Sequence, residues 1–201
     1  MDSIDYYERY GSAYFENTVN LSMEEQLKQF LLYLPENAEV LDLGCGSGRD
    51  GKYLEESGCY VTLMDGSRQM CRLAEIYTDQ EVLCMTFTEM VFDEVFDGIW
   101  ACASLLHVPG NEMDDILEKV INALKPGGIL YMSFYYGESE GIRNHRFFHD
   151  YTEQTMTELL RRHPALEMLS MFTTSDIRGD HSGMRWLNVF ARKEGGEEDD
   201  D

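Results

Sequence analysis

Basic residues are scarce in this 201-residue sequence. It has 16 lysines and arginines against 38 aspartates and glutamates, and its formal net charge is −22. A protein that grips nucleic acid neutralises phosphates with Lys and Arg, and an anionic membrane surface attracts the same side chains. The composition therefore disfavours both kinds of partner. His145, Arg143 and Arg146 come closest to a local basic patch.

The sequence also lacks the patterns of disulfide-stapled, metal-binding and membrane-spanning chains. Its five cysteines include no C-x-x-C, and an odd number cannot all pair within one chain. No run of about 18 apolar residues is present, and no His/Cys cluster has metal-ligand spacing. The N-terminus is acidic and has no apolar segment typical of a signal peptide. We therefore expect a soluble, cytoplasmic protein with reduced thiols and no bound metal.

What is present is enough apolar sequence for one globular domain. The hydrophobic fraction is 43%, which is sufficient for a full core. We expect one domain over residues 1–193, in which residues 1–34 form a helical cap. Six of the last eight residues, 194–201, are acids and none is basic. That segment is expected to be a disordered acidic tail.

Strands and helices alternate along the chain. Strands are predicted at 39–43, 60–64, 82–87, 96–103, 129–134, 166–173 and 184–192, and helices at 4–18, 23–34, 49–56, 67–77, 111–124 and 153–162. This alternation predicts βαβ units in an α/β fold with helices on both faces of a mostly parallel sheet. The last two strands have only a turn between them, which predicts an antiparallel hairpin at one edge of a seven-stranded sheet.

A glycine-rich turn joins the first strand to the helix after it. The run Gly44-Cys45-Gly46-Ser47-Gly48 would let the backbone approach a ligand, and the helix behind it would present unpaired amides. Asp65 ends the second strand, where an acid can accept both hydroxyls of a ribose. Arg49 stands where a dinucleotide fingerprint has its third glycine, which disfavours a nicotinamide-dependent oxidoreductase. The residues thus predict a nucleoside site, and a tight turn without a ligand is the alternative.

Four motifs, in order, resemble those of class I S-adenosylmethionine-dependent methyltransferases. DLGCGSG at 42–48 resembles the first motif, and VTLMDGS at 61–67 with Met70 resembles the second. FDGIW at 96–100, continued through His107, is similar to the fourth-strand motif, and LKPGG at 124–128 is similar to the fifth-strand motif. Within that superfamily, GRD at 48–50 and ASLLH at 103–107 look most like small-molecule methyltransferases of the tellurite-resistance type.

The resemblance implies a Rossmann-like sheet and S-adenosyl-L-methionine as the cofactor. Many family members carry an acid after the third strand that meets the adenine amino group. Here residues 85–89 read MTFTE, so Thr86 and Phe87 are expected to flank the adenine, with Glu89 as the nearby acid. The implied cofactor contacts are Tyr14, Asp42, Gly44, Cys45, Gly46, Gly48, Arg49, Asp65, Gly66, Met70, Thr86, Phe87, Ala103 and Ser104.

Some of these roles have a plain structural alternative. Arg49 could hold the cofactor's carboxylate, or it could be a solvated helix residue. The aromatic face of helix 4–18 could form a lid whose Tyr7 and Tyr14 cover the sulfonium, or it could be ordinary packing. His107, just past the fourth strand, is the candidate catalytic base, and the alternative is that it orients the loop before Pro109.

The predicted substrate residues are Tyr7, Tyr136, Arg146 and Arg178. Arg146 and Arg178, together with Arg143, could hold an anionic group of the acceptor. The alternative for each of them is an ion pair with a neighbouring acid on the surface. Trp186 and Asn188 on the last strand could line the same pocket. The sequence therefore predicts methyl transfer to a small molecule. The alternatives are a protein or nucleic-acid methyltransferase and a catalytically silent module that binds the cofactor and signals through a partner.

Overall fold

The computed structural model describes residues 3–178 and 183–195. Its helices are α1 (Ser3–Thr18), α2 (Glu24–Leu31), α3 (Arg49–Glu56), α4 (Arg68–Thr78), α5 (Gly110–Ala123) and α6 (Glu153–Arg162). Its strands are β1 (Glu39–Leu43), β2 (Tyr60–Asp65), β3 (Val82–Cys84), β4 (Phe96–Ala101), β5 (Leu124–Tyr135), β6 (Glu140–Arg143), β7 (Arg146–His149), β8 (Leu166–Ser175) and β9 (Arg185–Lys193).

Seven strands form one sheet in the order β3-β2-β1-β4-β5-β9-β8. The first five run parallel, β9 is antiparallel to β5, and β8 is antiparallel to β9 at the edge. The predicted seven-stranded, Rossmann-like sheet with an antiparallel edge hairpin is therefore confirmed. Because the strand order reverses at β1, a crevice for a ligand is expected at the carboxyl ends of β1 and β4.

Helices cover both faces because side chains along each central strand alternate in direction. Ile99 and Leu130 pack with α5 on one face, whereas their neighbours Trp100 and Tyr131 pack with α2 and α3 on the other. Trp100 and Tyr131 stack with ring centroids 3.9 Å apart. The indole Nε1 of Trp100 donates to Asp50 at 3.0 Å, so this core contact also fixes the first turn of α3.

Several element bounds differ from the sequence prediction. The third strand ends at Cys84 rather than 87, because a 3-10 turn over Phe87–Glu89 begins with a capping box of Thr86 and Glu89. The fourth strand ends at Ala101 rather than 103, and Ala103 adopts a φ of +52°. The sequence predicts neither a strand nor a helix between residues 134 and 153, but this region contains the two-stranded β6–β7 hairpin.

The predicted cap over residues 1–34 contains two helices with different surroundings. Helix α1 lies over the carboxyl edge of the sheet, where Ser3 bonds to the backbone of Phe147 on β7. Helix α2 instead buries Leu27 and Phe30 against the sheet, with the Phe30 ring centroid 5.3 Å from that of Trp100. Of the two helices, only α1 lies over the carboxyl edge of the sheet as the predicted cap would. Residues 196–201 of the predicted acidic tail lie outside the described residues.

Other global features concern the thiols and the helices. None of the five cysteines is in a disulfide; Cys45, Cys59 and Cys71 are buried, Cys102 is half-buried and Cys84 is exposed. Within residues 3–178 and 183–195, no helix combines the length and the apolar character needed to cross a bilayer. Over the same residues, no three His, Cys, Asp or Glu side chains come together as metal ligands.

The contact between α3 and β2 gives a first testable prediction. Gly51 of α3 lies very close to the sheet. A Cβ added there would stand 2.3 Å from Cδ2 of Leu63 on β2 and 3.0 Å from Oδ2 of Asp42 on β1. We expect Gly51→Ala to lower the free energy of unfolding by about 1–3 kcal/mol through overpacking. The higher helix propensity of Ala, about 1 kcal/mol, should offset only part of this loss.

Urea denaturation measures this effect, and Gly195→Ala is the matched control. No described atom lies within 4 Å of a Cβ at Gly195, so its unfolding free energy should change by less than about 0.5 kcal/mol. Equal stability of the two variants would contradict close packing of α3 on β2.

Candidate functional site

Two adjoining cavities open at the carboxyl edge of the sheet. The first, of about 740 Å³, is lined by Asp65 and by residues 44–47 of the glycine run, and we name it the glycine cavity. Gly48, predicted as a cofactor contact, lines neither cavity and lies against Thr78 and Ala74 of α4. The second, of about 800 Å³, is lined by Arg146, Arg178 and Trp186, and we name it the arginine cavity. Both volumes are in the range of small-molecule sites. The residues that line both cavities are Tyr7, Tyr14, Thr18, Arg49, Cys102, Ala103 and His107.

At Gly44 and Gly46 the glycine run exposes main-chain atoms, and no side chain, to its cavity. Gly44 has a φ of +76°, and a Cβ there would lie 2.5 Å from the Cβ of Ser104. Gly46 has a φ of +55°, and its amide donates to Oδ2 of Asp65 at 2.9 Å. Residues with a Cβ atom rarely adopt these positive φ angles. Glycine is therefore the residue that suits this backbone conformation.

Asp65 connects two loops at the end of β2. Its Oδ2 accepts from the Gly46 amide and its Oδ1 accepts from the Ser67 amide, each at 2.9 Å. Burial raises the pKa of the Asp65 carboxyl above its usual range, while these two hydrogen bonds act in the opposite direction. A carboxylate is thus held at the cavity wall in a position fixed by backbone amides.

Two buried polar atoms beside Asp65 have no hydrogen-bond partner within the described residues. They are Oδ2 of Asp42 and Oγ of Ser104, and both residues line the glycine cavity. Burial, followed by the neighbouring carboxylate of Asp50, raises the pKa of Asp42 well above its usual range. Because buried polar atoms normally have partners, these atoms fit a cavity that accommodates a polar ligand.

The predicted adenine-flanking residues also lie at the glycine cavity. Thr86 and Phe87 line it, as do Gly66 and Met70. Glu89 points elsewhere: its Oε2 accepts from the Thr86 amide at 2.7 Å and from the Thr86 hydroxyl at 2.8 Å. The structure thus uses Glu89 to cap the 3-10 turn and does not place it in either cavity.

The junction of the two cavities is built around His107. Its Nδ1 lies 2.6 Å from the carbonyl oxygen of Phe147, which can only accept, so Nδ1 carries the proton. Its Nε2 lies 2.9 Å from the hydroxyl of Tyr7 and accepts from it. The Tyr7 oxygen in turn accepts from Nη1 of Arg146 at 3.2 Å. The Tyr7 hydroxyl is therefore held between a donor and an acceptor.

These surroundings bear on the role predicted for His107. Burial lowers the pKa of His107 to about 4, and the nearby Arg146 cation acts in the same direction. The imidazole is neutral near pH 7, and its one free lone pair already accepts from Tyr7. His107 lies at the junction and accepts a hydrogen bond from the Tyr7 hydroxyl, and its role as a catalytic base stays a prediction.

Tyr14 and Arg49 complete the junction. The Tyr7 and Tyr14 rings meet edge to face, with centroids 5.0 Å apart. Burial raises the pKa of both phenols, so both hydroxyls stay protonated. Arg49 is half-buried: its Nη1 donates to the Thr18 carbonyl at 2.8 Å and its Nε to Asp50 at 2.9 Å. Arg49 therefore ties the end of α1 to the start of α3, and it is not a freely solvated helix residue.

In the arginine cavity, Arg178 already has an acid partner. Its Nη2 lies 2.6 Å from Oδ2 of Asp176, and the same nitrogen donates to the Tyr135 hydroxyl at 3.0 Å. Although burial opposes it, hydrogen bonds from Arg178 hold the pKa of Asp176 below its usual range. Trp186 also lines the cavity and donates to Asp176 at 3.0 Å, and Asn188 lies beside it.

Tyr136, predicted as a substrate residue, lies in neither cavity. Its hydroxyl donates to Glu153 at 2.7 Å, and Tyr135 lines the arginine cavity instead. Successive side chains on a strand point to opposite faces, so Tyr135 shares the face of Ser133, which also lines the cavity. Counting alternate residues along β5 would have found Tyr135. Arg143 likewise lines neither cavity: it pairs with Asp150, and its guanidinium carbon lies 5.6 Å from the ring centroid of Tyr135 and 4.8 Å from that of Phe148.

Comparison with known proteins gives one family match and several similar proteins. Residues 41–132 match the family described as methyltransferase domain. The Bacillus subtilis protein YqeM is 30% identical over 131 residues, which are 62% of this chain and 53% of that protein. An uncharacterized methyltransferase of Staphylococcus carnosus is 27% identical over 173 residues, which are 79% of this chain and 83% of that protein. The chain thus spans about half the length of the Bacillus relative.

One solved structure extends the likeness to the whole fold. The 1,6-didemethyltoxoflavin-N1-methyltransferase of Burkholderia thailandensis, bound to 1,6-didemethyltoxoflavin and S-adenosylhomocysteine, superposes with a TM-score of 0.75. The alignment covers 94% of this chain and 85% of that chain at 23% identity. At this level of identity the likeness concerns the fold.

The junction gives a prediction for the titration of His107. We expect its imidazole to stay neutral, with the proton on Nδ1, until the pH falls to about 4. The unfolded chain binds this proton near pH 6.5, so His107 should lower the stability of the fold as the pH falls from about 6.5 to about 4. Nitrogen-15 NMR of the imidazole measures the titration, and His107→Gln assigns the signal. Titration of His107 near pH 6.5 would contradict its burial at the junction.

Proposed function

We propose that this chain transfers a methyl group from S-adenosyl-L-methionine to a small molecule, on the basis that residues 41–132 match the methyltransferase domain family and that the chain shares its fold with a solved methyltransferase bound to S-adenosylhomocysteine. The observation that carries the proposal is the shared wall of the two cavities. The glycine cavity would hold the cofactor, the arginine cavity would hold the acceptor, and the transfer would take place at their junction.

The residues of the glycine cavity fit this cofactor. The carboxylate of Asp65 would accept from the ribose hydroxyls, while the glycine run would let the backbone approach the ligand closely. Thr86 and Phe87 would flank the adenine. The unpartnered oxygens of Asp42 and Ser104 would gain hydrogen bonds from the polar groups of the amino-acid portion.

The cofactor supplies an activated methyl group on a sulfonium when it is bound. The chain's part is to align the acceptor with that methyl and to exclude water. Tyr7 and Tyr14 present aromatic rings at the junction, which suits a cationic centre. His107 acts through Tyr7 as a positioning residue, because its lone pair fixes the direction of the Tyr7 hydroxyl. No general base is needed if the acceptor atom is already a good nucleophile.

A small-molecule acceptor is favoured over a macromolecule by two observations. The arginine cavity, of about 800 Å³, has the size of a small-molecule site, and the net charge of −22 opposes nucleic acid. The five unpaired thiols favour a reducing compartment, and we propose the cytoplasm. Likeness to the tellurite-resistance type remains a prediction from the sequence motifs.

Formation of S-adenosylhomocysteine tests the proposed activity. We expect the protein, given S-adenosylmethionine and a metabolite extract, to produce S-adenosylhomocysteine and a methylated small molecule that mass spectrometry detects. Binding of the cofactor without turnover in any pool would instead identify a silent binding module. Methylation found only on protein or nucleic acid would move the acceptor to that class.

Asp65→Ala should weaken binding of S-adenosylhomocysteine at least tenfold. The substitution removes two hydrogen bonds to a charged acceptor, each of about 1.5–3 kcal/mol. Calorimetry measures the affinity. The control is Asp97→Ala, which removes a carboxylate near the opposite end of β4, where Asp97 accepts from the Glu39 amide and from Lys125. Unchanged affinity in Asp65→Ala, or an equal loss in both variants, would contradict the ribose role.

The proposed lid role of α1 can be tested by hydrogen exchange. Because Tyr7 and Tyr14 line both cavities, bound S-adenosylhomocysteine should slow exchange across residues 4–18. Helix α6 contributes no described residue to either cavity, and its exchange should stay unchanged. If α1 does not respond to the ligand, its tyrosines are ordinary packing residues.

A further inference from the structure

Arg146 is a cation without an acid partner at the wall of the arginine cavity. It is half-buried at the start of β7, and its Nη1 donates to the Tyr7 hydroxyl at 3.2 Å. Its buried Nε has no hydrogen-bond partner, and none of the described carboxylates forms an ion pair with it. A buried charge is costly unless it is paired, so this guanidinium is suited to an anion that is not part of the chain.

The other cations of the arginine cavity are neutralised locally. They pair as Lys28 with Glu24 at 2.7 Å, Arg49 with Asp50 at 2.9 Å, and Arg178 with Asp176 at 2.6 Å. The remaining acid on the cavity wall, Glu25, is exposed at the start of α2. Among the described residues, the half-buried part of the cavity therefore keeps one uncompensated positive charge, that of Arg146, although the chain as a whole carries −22.

A continuous aromatic wall leads away from Arg146. Its guanidinium carbon lies 5.0 Å from the ring centroid of Phe148. The Phe148 centroid is 5.4 Å from that of Tyr135, which is 4.3 Å from that of Trp186. These rings line the arginine cavity, and their faces and edges suit a flat, unsaturated ligand better than a flexible polar one.

We propose that the acceptor of this enzyme is a planar aromatic molecule that carries a negative charge, and that Arg146 rather than Arg178 binds that charge. The proposal rests on the proposed function and deepens it by naming the substrate class. Its ring would lie against Phe148, Tyr135 and Trp186. Because Arg146 also contacts Tyr7, the charged end would lie next to the junction with the glycine cavity.

The two arginines differ in what an anion would gain from each. Two hydrogen bonds already join the Arg178 side chain to Asp176, so an anion there would meet a carboxylate beside the guanidinium. Arg146 offers a free Nε and an unpaired charge. The alternative role for Arg146 is structural, because its guanidinium also lies 4.6 Å from the ring centroid of Tyr6 and could simply hold the aromatic cluster together.

Three probes of similar size separate the effect of the negative charge from the effect of the flat aromatic ring. They are 2-naphthoate, its neutral analogue 2-naphthamide, and the saturated carboxylate decahydro-2-naphthoate. Each is titrated into the full chain with S-adenosylhomocysteine present, and the indole N–H signals are followed by NMR. The chain has two tryptophans. Trp186 lines the arginine cavity and reports binding there, while the fully buried Trp100 is an internal control.

We expect the Trp186 signal to give an affinity for 2-naphthoate at least tenfold higher than for either other probe. Arg146→Met should remove the preference for 2-naphthoate over 2-naphthamide, and Arg146→Lys should keep part of it. The control is the double variant Asp176→Asn/Arg178→Gln, which removes both charges of the ion pair and leaves the cavity's net charge unchanged. It should retain the preference.

Equal affinity for 2-naphthoate and 2-naphthamide in the unmodified chain, or no binding of 2-naphthoate at millimolar concentration, would overturn the proposal without any variant. A preference that survives Arg146→Met, or is lost in the double variant, would also overturn it. The affinity of every variant for S-adenosylhomocysteine is measured separately. If the unmodified chain does not bind S-adenosylhomocysteine, the proposed function is refuted. If it binds S-adenosylhomocysteine but shows no preference for 2-naphthoate, only the acceptor class is refuted.

Discussion

The two hydrogen bonds that Asp65 accepts from the Gly46 and Ser67 amides are the constraint on which the site depends. They join the loops after two adjacent parallel strands, so the starts of α3 and α4 are fixed relative to each other. The Gly44 and Cys45 amides add to this by donating to the Met64 carbonyl at 2.8 and 2.9 Å. The ligand-facing backbone is thus held by the sheet edge itself, which is the kind of rigid support that precise binding requires.

A second network holds the other side of the site together. It runs from the Phe147 carbonyl through His107 and Tyr7 to Arg146, and thereby connects β7, the loop after β4 and α1. The three segments lie far apart in the sequence, and each hydrogen bond fixes the orientation of the next side chain. Because burial keeps His107 neutral, the direction of these hydrogen bonds is defined near pH 7. The network converts three separate segments into one wall shared by both cavities.

The sheet and the glycine cavity could be predicted because their signals are local in sequence. Strand periodicity, the glycine run and Asp65 lie within short segments whose geometry follows from parallel βαβ units. The arginine cavity could not be predicted in the same way. Whether Arg146 or Arg178 is neutralised depends on contacts with Asp176 and Tyr7 that no spacing reveals. The alternation of side chains along β5 places Tyr135, and not the predicted Tyr136, at the arginine cavity.

The two cavities differ in where some of their wall residues lie along the chain. The glycine run and Asp65 fall within residues 41–132, which match the methyltransferase domain family, whereas Ser133, Tyr135, Arg146, Arg178 and Trp186 of the arginine cavity follow that stretch. Substitutions at these later positions would therefore leave the glycine run and Asp65 as they are. Under the proposed function, the binding of the acceptor would be adjustable separately from the binding of the cofactor, as expected of a fold on which different sites can be built.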